Sequence, residues 1–448
     1  MTMYASPPIP LTTRREHRIE PAAAGKAVTS SGPARPAIRL AGEHFAVATL
    51  YLVAGAVGLV WVAPQLAAGD FTSPRVAGVT HLFTLGWLTI TIFGALYQLL
   101  PVALGAPIRW PRAGHASLAA FAPGVGAFAL GVALRSTILD HAGVCLVAIG
   151  VVLAVANVAA TLPRARHRDV TWAAVAIAIT YLSSTLVLGV LLLHNIHTGS
   201  IAAMRIRVLA THLHVAIVGW ALVMIVGVSH RLLPMFLLAH GADTQWTRRA
   251  LAALAIGLPF LGTGLLTGAV PAAWTGALML ELGVACFVYQ ASRFFHARVR
   301  KRLDIGVRYA AFALAFLAAD GVLGALVLWR GAETGRLATT YVFVGLLGGI
   351  VLFVVGLFYK IVPLLAWTAR YGGKATVGAP TVAEMFSASV ARVQLGLMTG
   401  AVVLAAGAIL AGSRAGTYAA AALFLAGVLL FAGQIIRVAL GRAVGSRA

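Results

Sequence analysis

His81-Leu82-Phe83-Thr84-Leu85-Gly86-Trp87, continued by Gly94, Tyr97 and Leu99-Leu100-Pro101, opens a phrase that this chain states three times. The second copy runs His214, Gly219-Trp220, Gly227, His230, Leu232-Leu233-Pro234, and the third Phe343, Gly348-Gly349, Gly356, Tyr359, Pro363. Only in the third is the opening histidine replaced, by phenylalanine. Starts at 81, 214 and 343 give periods of 133 and 129 residues. A long fixed period marks a repeated architecture, so a threefold internal repeat is expected.

Composition sets the solvent in which those repeats fold. Sixty per cent of the 448 residues are hydrophobic and 10% charged, with a mean hydropathy of +0.92. An ordinary soluble domain does not have this balance. Crossing the hydrocarbon core takes about 20 apolar residues per helix, and twelve such runs can be read: 44–64, 78–104, 115–136, 141–162, 171–197, 207–239, 249–270, 274–296, 306–330, 338–367, 388–412 and 416–441. The expected fold is an all-α integral membrane protein of twelve transmembrane helices in three pseudo-symmetric repeats of four. The repeats run about 41–165, 166–300 and 301–445, within one membrane domain at 41–445. In each, the repeated phrase falls on the second helix.

Charge then orients the bundle. Of the 34 Lys and Arg residues, 27 fall on the side of the N-terminus and 7 on the other. The basic side is the cytoplasmic one, so both termini are expected in the cytoplasm of a bacterial-type inner membrane. The net charge of +22 reads as this topology signal plus attraction to anionic lipid heads. No basic domain stands free of the membrane, so nucleic acid is not an expected partner. Residues 1–40, rich in Pro, Ala, Arg and Ser, read as a disordered cytoplasmic tail. Cys145 and Cys286 fall inside spans, form no thiol-metal motif and read as small packing residues.

The histidines carry the chemistry. His81 and His214 begin the second and sixth helices, His212 begins the sixth as well, and His194 and His197 end the fifth, so five of thirteen histidines gather at one depth. A single histidine in such a helix is often an interhelical hydrogen-bonder. A cluster at matched depth instead marks a functional site, since polar side chains in a bilayer are costly without partners. His212 and His214, two apart, point to opposite sides of their helix. His194 and His197, three apart, share a face. The economical arrangement is two sites. In the first, His81 and its repeat-mate His214 take the two axial positions of a haem iron. In the second, His212 turns toward His194 and His197, a set of three imidazoles suited to copper or zinc. Asp320 and Glu281 read as isolated intramembrane carboxylates, and Trp87 and Trp220 as gap fillers or as platforms for a macrocycle.

Thr211-His212-Leu213-His214-Val215-Ala216-Ile217-Val218-Gly219-Trp220, followed by Gly227 and Leu232-Leu233-Pro234, resembles the tenth helix of the haem-copper oxidase catalytic subunit, especially its C-type (cbb) branch. That family has twelve helices in three arcs of four and haems near the outer face. The resemblance implies a low-spin haem b held by His214 and His81, and it makes His212 the counterpart of the ligand to a second haem. It also implies oxidase-like partner subunits. The chain departs from the pattern in three ways: its His-x-His lies on the sixth helix, Phe343 stands where the tenth would offer a ligand, and the seventh helix has no histidine for copper. NnrS-like proteins, twelve-helix haem and copper membrane proteins linked to nitric oxide stress, are similar in outline. Their His-x-His-Glu-Met opening is not found in this chain.

Two function classes follow. One is a haem-bearing redox protein, an oxidoreductase if catalytic, that carries electrons or acts on a diatomic such as nitric oxide without the usual copper ligands. With no Cys-x-x-Cys-His, cysteine cluster or nucleotide loop in the chain, its electrons must come from a donor protein or quinol. The alternative is copper or haem handling and transport through the open His194, His197 and His212 group.

Overall fold

The computed structural model describes residues 35–239, 243–299, 302–331, 334–372 and 379–441. Residues 1–34 of the expected tail lie outside that set, as do His17 and His240. The tail reading is too long at its inner end, because a continuous helix already begins at Arg35.

Twelve helices are long and apolar enough to cross a bilayer, so the chain is a multi-pass membrane protein. They are α1 (Ile38–Trp61), α2 (Pro74–Ala103), α3 (Pro111–Leu134), α4 (Thr137–Arg164), α5 (Val170–Thr198), α6 (Ala202–Leu237), α7 (Gln245–Thr267), α8 (Val270–His296), α9 (Ile305–Arg330), α10 (Gly335–Tyr371), α11 (Ala388–Ala411) and α12 (Arg414–Leu440). No strand occurs among the described residues. Every expected apolar run coincides with one of these helices.

α10 is the most enclosed helix, with 83% of its most apolar stretch buried, and α2 follows at 67%, whereas α9 has only 17% buried. α2, α6 and α10 also share a backbone irregularity. Each changes to π-helix for eight residues, over Leu82–Thr89, Val215–Leu222 and Val344–Val351. These segments begin immediately after His81, His214 and Phe343. π-Helical turns are rare and concentrate at functional sites. Here Thr89 Oγ1 donates five residues back to Thr84 O at 2.8 Å, and Trp220 Nε1 donates across to Thr89 Oγ1 at 3.0 Å, tying α6 to α2 through both altered segments.

Glycines in those segments admit an aromatic ring from a preceding helix. Gly86 faces Tyr51, Gly219 faces Tyr181 and Gly348 faces Phe316, each so closely that a Cβ would collide. The tyrosine hydroxyls then donate onward, Tyr51 to Ala122 O on α3 and Tyr181 to Ala255 O on α7. At the opposite membrane end, Asp169 caps α5 by accepting from Thr171 N and Trp172 N and also pairs with Arg231 at the foot of α6. Asp304 caps α9 in the same way and pairs with Lys360 of α10. A cap and an ion pair on one carboxylate fix both helix ends together.

Candidate functional site

The π segment of α6 contacts those of α2 and α10, and the histidines stand just outside them. His81 Nδ1 donates to Ala77 O, four residues back, at 2.7 Å. His214 Nδ1 donates to Ala210 O in the same manner, also at 2.7 Å. A backbone acceptor on Nδ1 selects the tautomer whose Nε2 carries the lone pair, as in metal-ligating histidines. Nothing in the sequence revealed this feature, although i−4 carbonyls are available to any histidine on a helix.

Which ring meets which departs from expectation. The imidazole beside His81 is that of His212, with ring centres 6.5 Å apart and planes inclined by 39°. His214 points onward around the bundle to α10, where its Nε2 accepts from the Tyr341 hydroxyl at 3.1 Å. The opposite facing of His212 and His214 is therefore as expected, but it is His212 that α6 presents to α2. Gly189 on α5 makes room for that ring: a Cβ there would stand 3.2 Å from His212 Cε1. His212 Nδ1 is buried without a hydrogen-bond partner among the described residues.

Two cavities flank the His81 and His212 pair, and both rings line both of them. The first, about 100 Å³ and partly open to the outside, lies among α1, α2, α6 and α10, with Phe343 and Leu347 in its lining. The second, about 70 Å³, lies among α2 to α6 and reaches Phe128, Val147, Leu182 and Trp220. Thr84, Ala216 and Ile217 line both as well, so the two rings and these smaller groups form a waist between two apolar chambers. His214 lines neither. Apolar hollows with a few convergent polar groups are where small ligands commonly bind.

The set of His194, His197 and His212 does not assemble. His197 turns instead to Asp140 and His141 on α4, and these three are the single group of three or more His, Cys, Asp or Glu side chains placed to share an ion among the described residues. His194 is exposed one turn away. Nor are the two intramembrane carboxylates isolated. Glu281 of α8 presses on Gly321 of α9, and its neighbour Asp320 presses on Gly345 of α10, one turn from Tyr341. Polar side chains thus lead from α8 through α9 to Tyr341 and His214. Trp87 packs at 4.6 Å on Phe358 and makes no wall of either cavity. Cys145 and Cys286 are free thiols.

Compared with known proteins, the chain matches no protein-family model and no curated protein.

Proposed function

We propose that this chain is a haem-binding membrane redox protein, carrying electrons or acting on a diatomic such as nitric oxide. His81 and His212 would hold a haem b. The observation that carries the reading is the pair of facing imidazoles at 6.5 Å with an apolar chamber on either side. An ion bonded at about 2 Å to a nitrogen of each ring puts two ring centres a little over 6 Å apart. The orphaned His212 Nδ1 and the backbone-held Nδ1 of His81 suit rings positioned for ligation. Bound haem would supply a one-electron couple. The protein would orient the two imidazoles, shield the group from water with Phe128, Ile217 and Leu347 of the cavity linings, and offer Tyr341 and His214 for proton movement nearby.

The reading extends to the architecture. Three arcs of four helices, related by rotation about the bundle axis, account for the π segments at equal register in α2, α6 and α10. They also account for the ring that fills Gly86, Gly219 and Gly348. The pairings obey the same rule. His212 precedes His214 by two residues and meets His81, while Tyr341 precedes Phe343 by two and meets His214. The basic side, with both termini, is assigned to the cytoplasm of a bacterial-type membrane, which puts the histidines in the outer half. Electrons would come from a donor protein or quinol, with oxidase-like subunits as candidate partners.

A reduced-minus-oxidised spectrum and a pyridine-haemochrome assay of the purified protein, with iron and copper quantified on the same sample, test this directly. One haem per chain with a sharp low-spin band is expected. A haem-free protein after expression with ample haem supply overturns the proposal.

A further inference from the structure

Asp140 lies in the first turn of α4, and its carboxylate is only 3% exposed. Two imidazoles cover it. His141 Nδ1 is 2.7 Å from one oxygen and His197 Nε2 is 3.1 Å from the other. The two rings stand 4.7 Å apart. One donor atom from each of the three residues falls within 4.8 Å of the others. Metal bonds of about 2.0–2.1 Å in a tetrahedral shell put neighbouring ligand atoms a little over 3 Å apart. The cluster needs only small side-chain rotations to reach that.

The surroundings hold the group in place. Backbone of α3 at Gly131 abuts Asp140 so closely that a Cβ would not fit. At the end of α5, Asn195 Oδ1 accepts from Ile201 N at 2.8 Å and fixes the tight turn that follows His197. Among the described residues, the ion-pair partners of Asp140 are the two imidazoles alone. A buried carboxylate is stable when a positive charge meets it, and a divalent ion between it and two neutral imidazoles supplies that charge. Two imidazoles and one carboxylate are borderline donors that favour zinc or copper(II) over calcium or magnesium. With three protein ligands, the fourth position is open to water, and His141, 55% exposed, leaves an entry path. Ligation through His141 Nδ1 would take the place of its bond to Thr137 O at 2.8 Å.

We infer that Asp140, His141 and His197 form a site for a divalent transition ion, zinc or copper(II), at the membrane end where α4 begins and α5 finishes. It is separate from the His81 and His212 waist and does not depend on haem. The test is a titration of the full-length protein in detergent with zinc chloride, and separately with copper(II) chloride, each against a chromophoric chelator. Zinc X-ray absorption on the loaded sample reads the donors. One equivalent held by two imidazoles and oxygen donors is expected. Affinity should fall at least tenfold in His197→Ala and in His141→Ala, the latter at an exposed position that the fold tolerates. His194→Ala should bind as the parent does. A parent protein that competes no better than detergent buffer overturns the inference, as does undiminished binding in folded His141→Ala and His197→Ala. Tight copper with weak zinc, or the reverse, identifies the ion within the class.

Discussion

At the scale of single residues the His-x-His pattern was legible, and so was the opposite facing of its two rings. What could not be read was which ring α6 turns toward α2. His81 and His214 hold equal places in the repeated phrase and yet do not face each other. Each meets a residue two places earlier on the next inner helix: His212 at 6.5 Å for His81, and Tyr341 at 3.1 Å for His214. The sequence pattern matched depth and said nothing about rotation. Variants separate the two pairings. His81→Ala and His212→Ala should each abolish the low-spin haem spectrum, whereas His214→Ala and Tyr341→Phe should keep it. Loss of the spectrum in His214→Ala with retention in His212→Ala would restore the equal-position pair and refute the one proposed. The Asp140 group was missed for a plainer reason: His141 and His197 are 56 residues apart and meet only because α4 and α5 pack side by side.

At the scale of elements, all twelve helices were visible as apolar runs of sufficient length. The π segments were not, because the residues that form them are ordinary helix-compatible apolar ones and the extra residue per turn shows only in the backbone. Their glycines were visible, and the structure states what they do. A Cβ on Gly219 would stand 2.7 Å from Tyr181 Cγ, so Gly219→Val must displace that ring and break its bond to Ala255. Overpacking of this kind costs about 1–3 kcal/mol. A lowered unfolding midpoint in detergent is expected. Gly400→Ala on α11, where no atom lies within 4 Å of the added carbon, should leave the midpoint where it is. Equal midpoints for the two variants would mean that the ring does not depend on the glycine.

For the whole molecule, hydropathy and the asymmetry of Lys and Arg were enough to propose twelve spans and an orientation, and the spans are present. Orientation is open to a labelling experiment in a chain with Cys145 and Cys286 replaced by alanine. Ser200→Cys, between α5 and α6, should react in intact cells with an impermeant maleimide, and Ser387→Cys, before α11, should react only after lysis. The reverse pattern would invert the assignment and put the histidine cluster on the inner half. The packing of α2 has a consequence for how such a chain is made. Phe83 touches Phe424 and Trp87 touches Phe431, so the packing of α2 is completed only by α12. Until α12 has been made, a ring that finishes 0% exposed, Trp87, lacks part of its cover. Contacts this distant along the chain are slow to form. Membrane insertion and tertiary closure are therefore separate events in time, and a quality-control protease that samples nascent membrane proteins meets this one open until α12 is in.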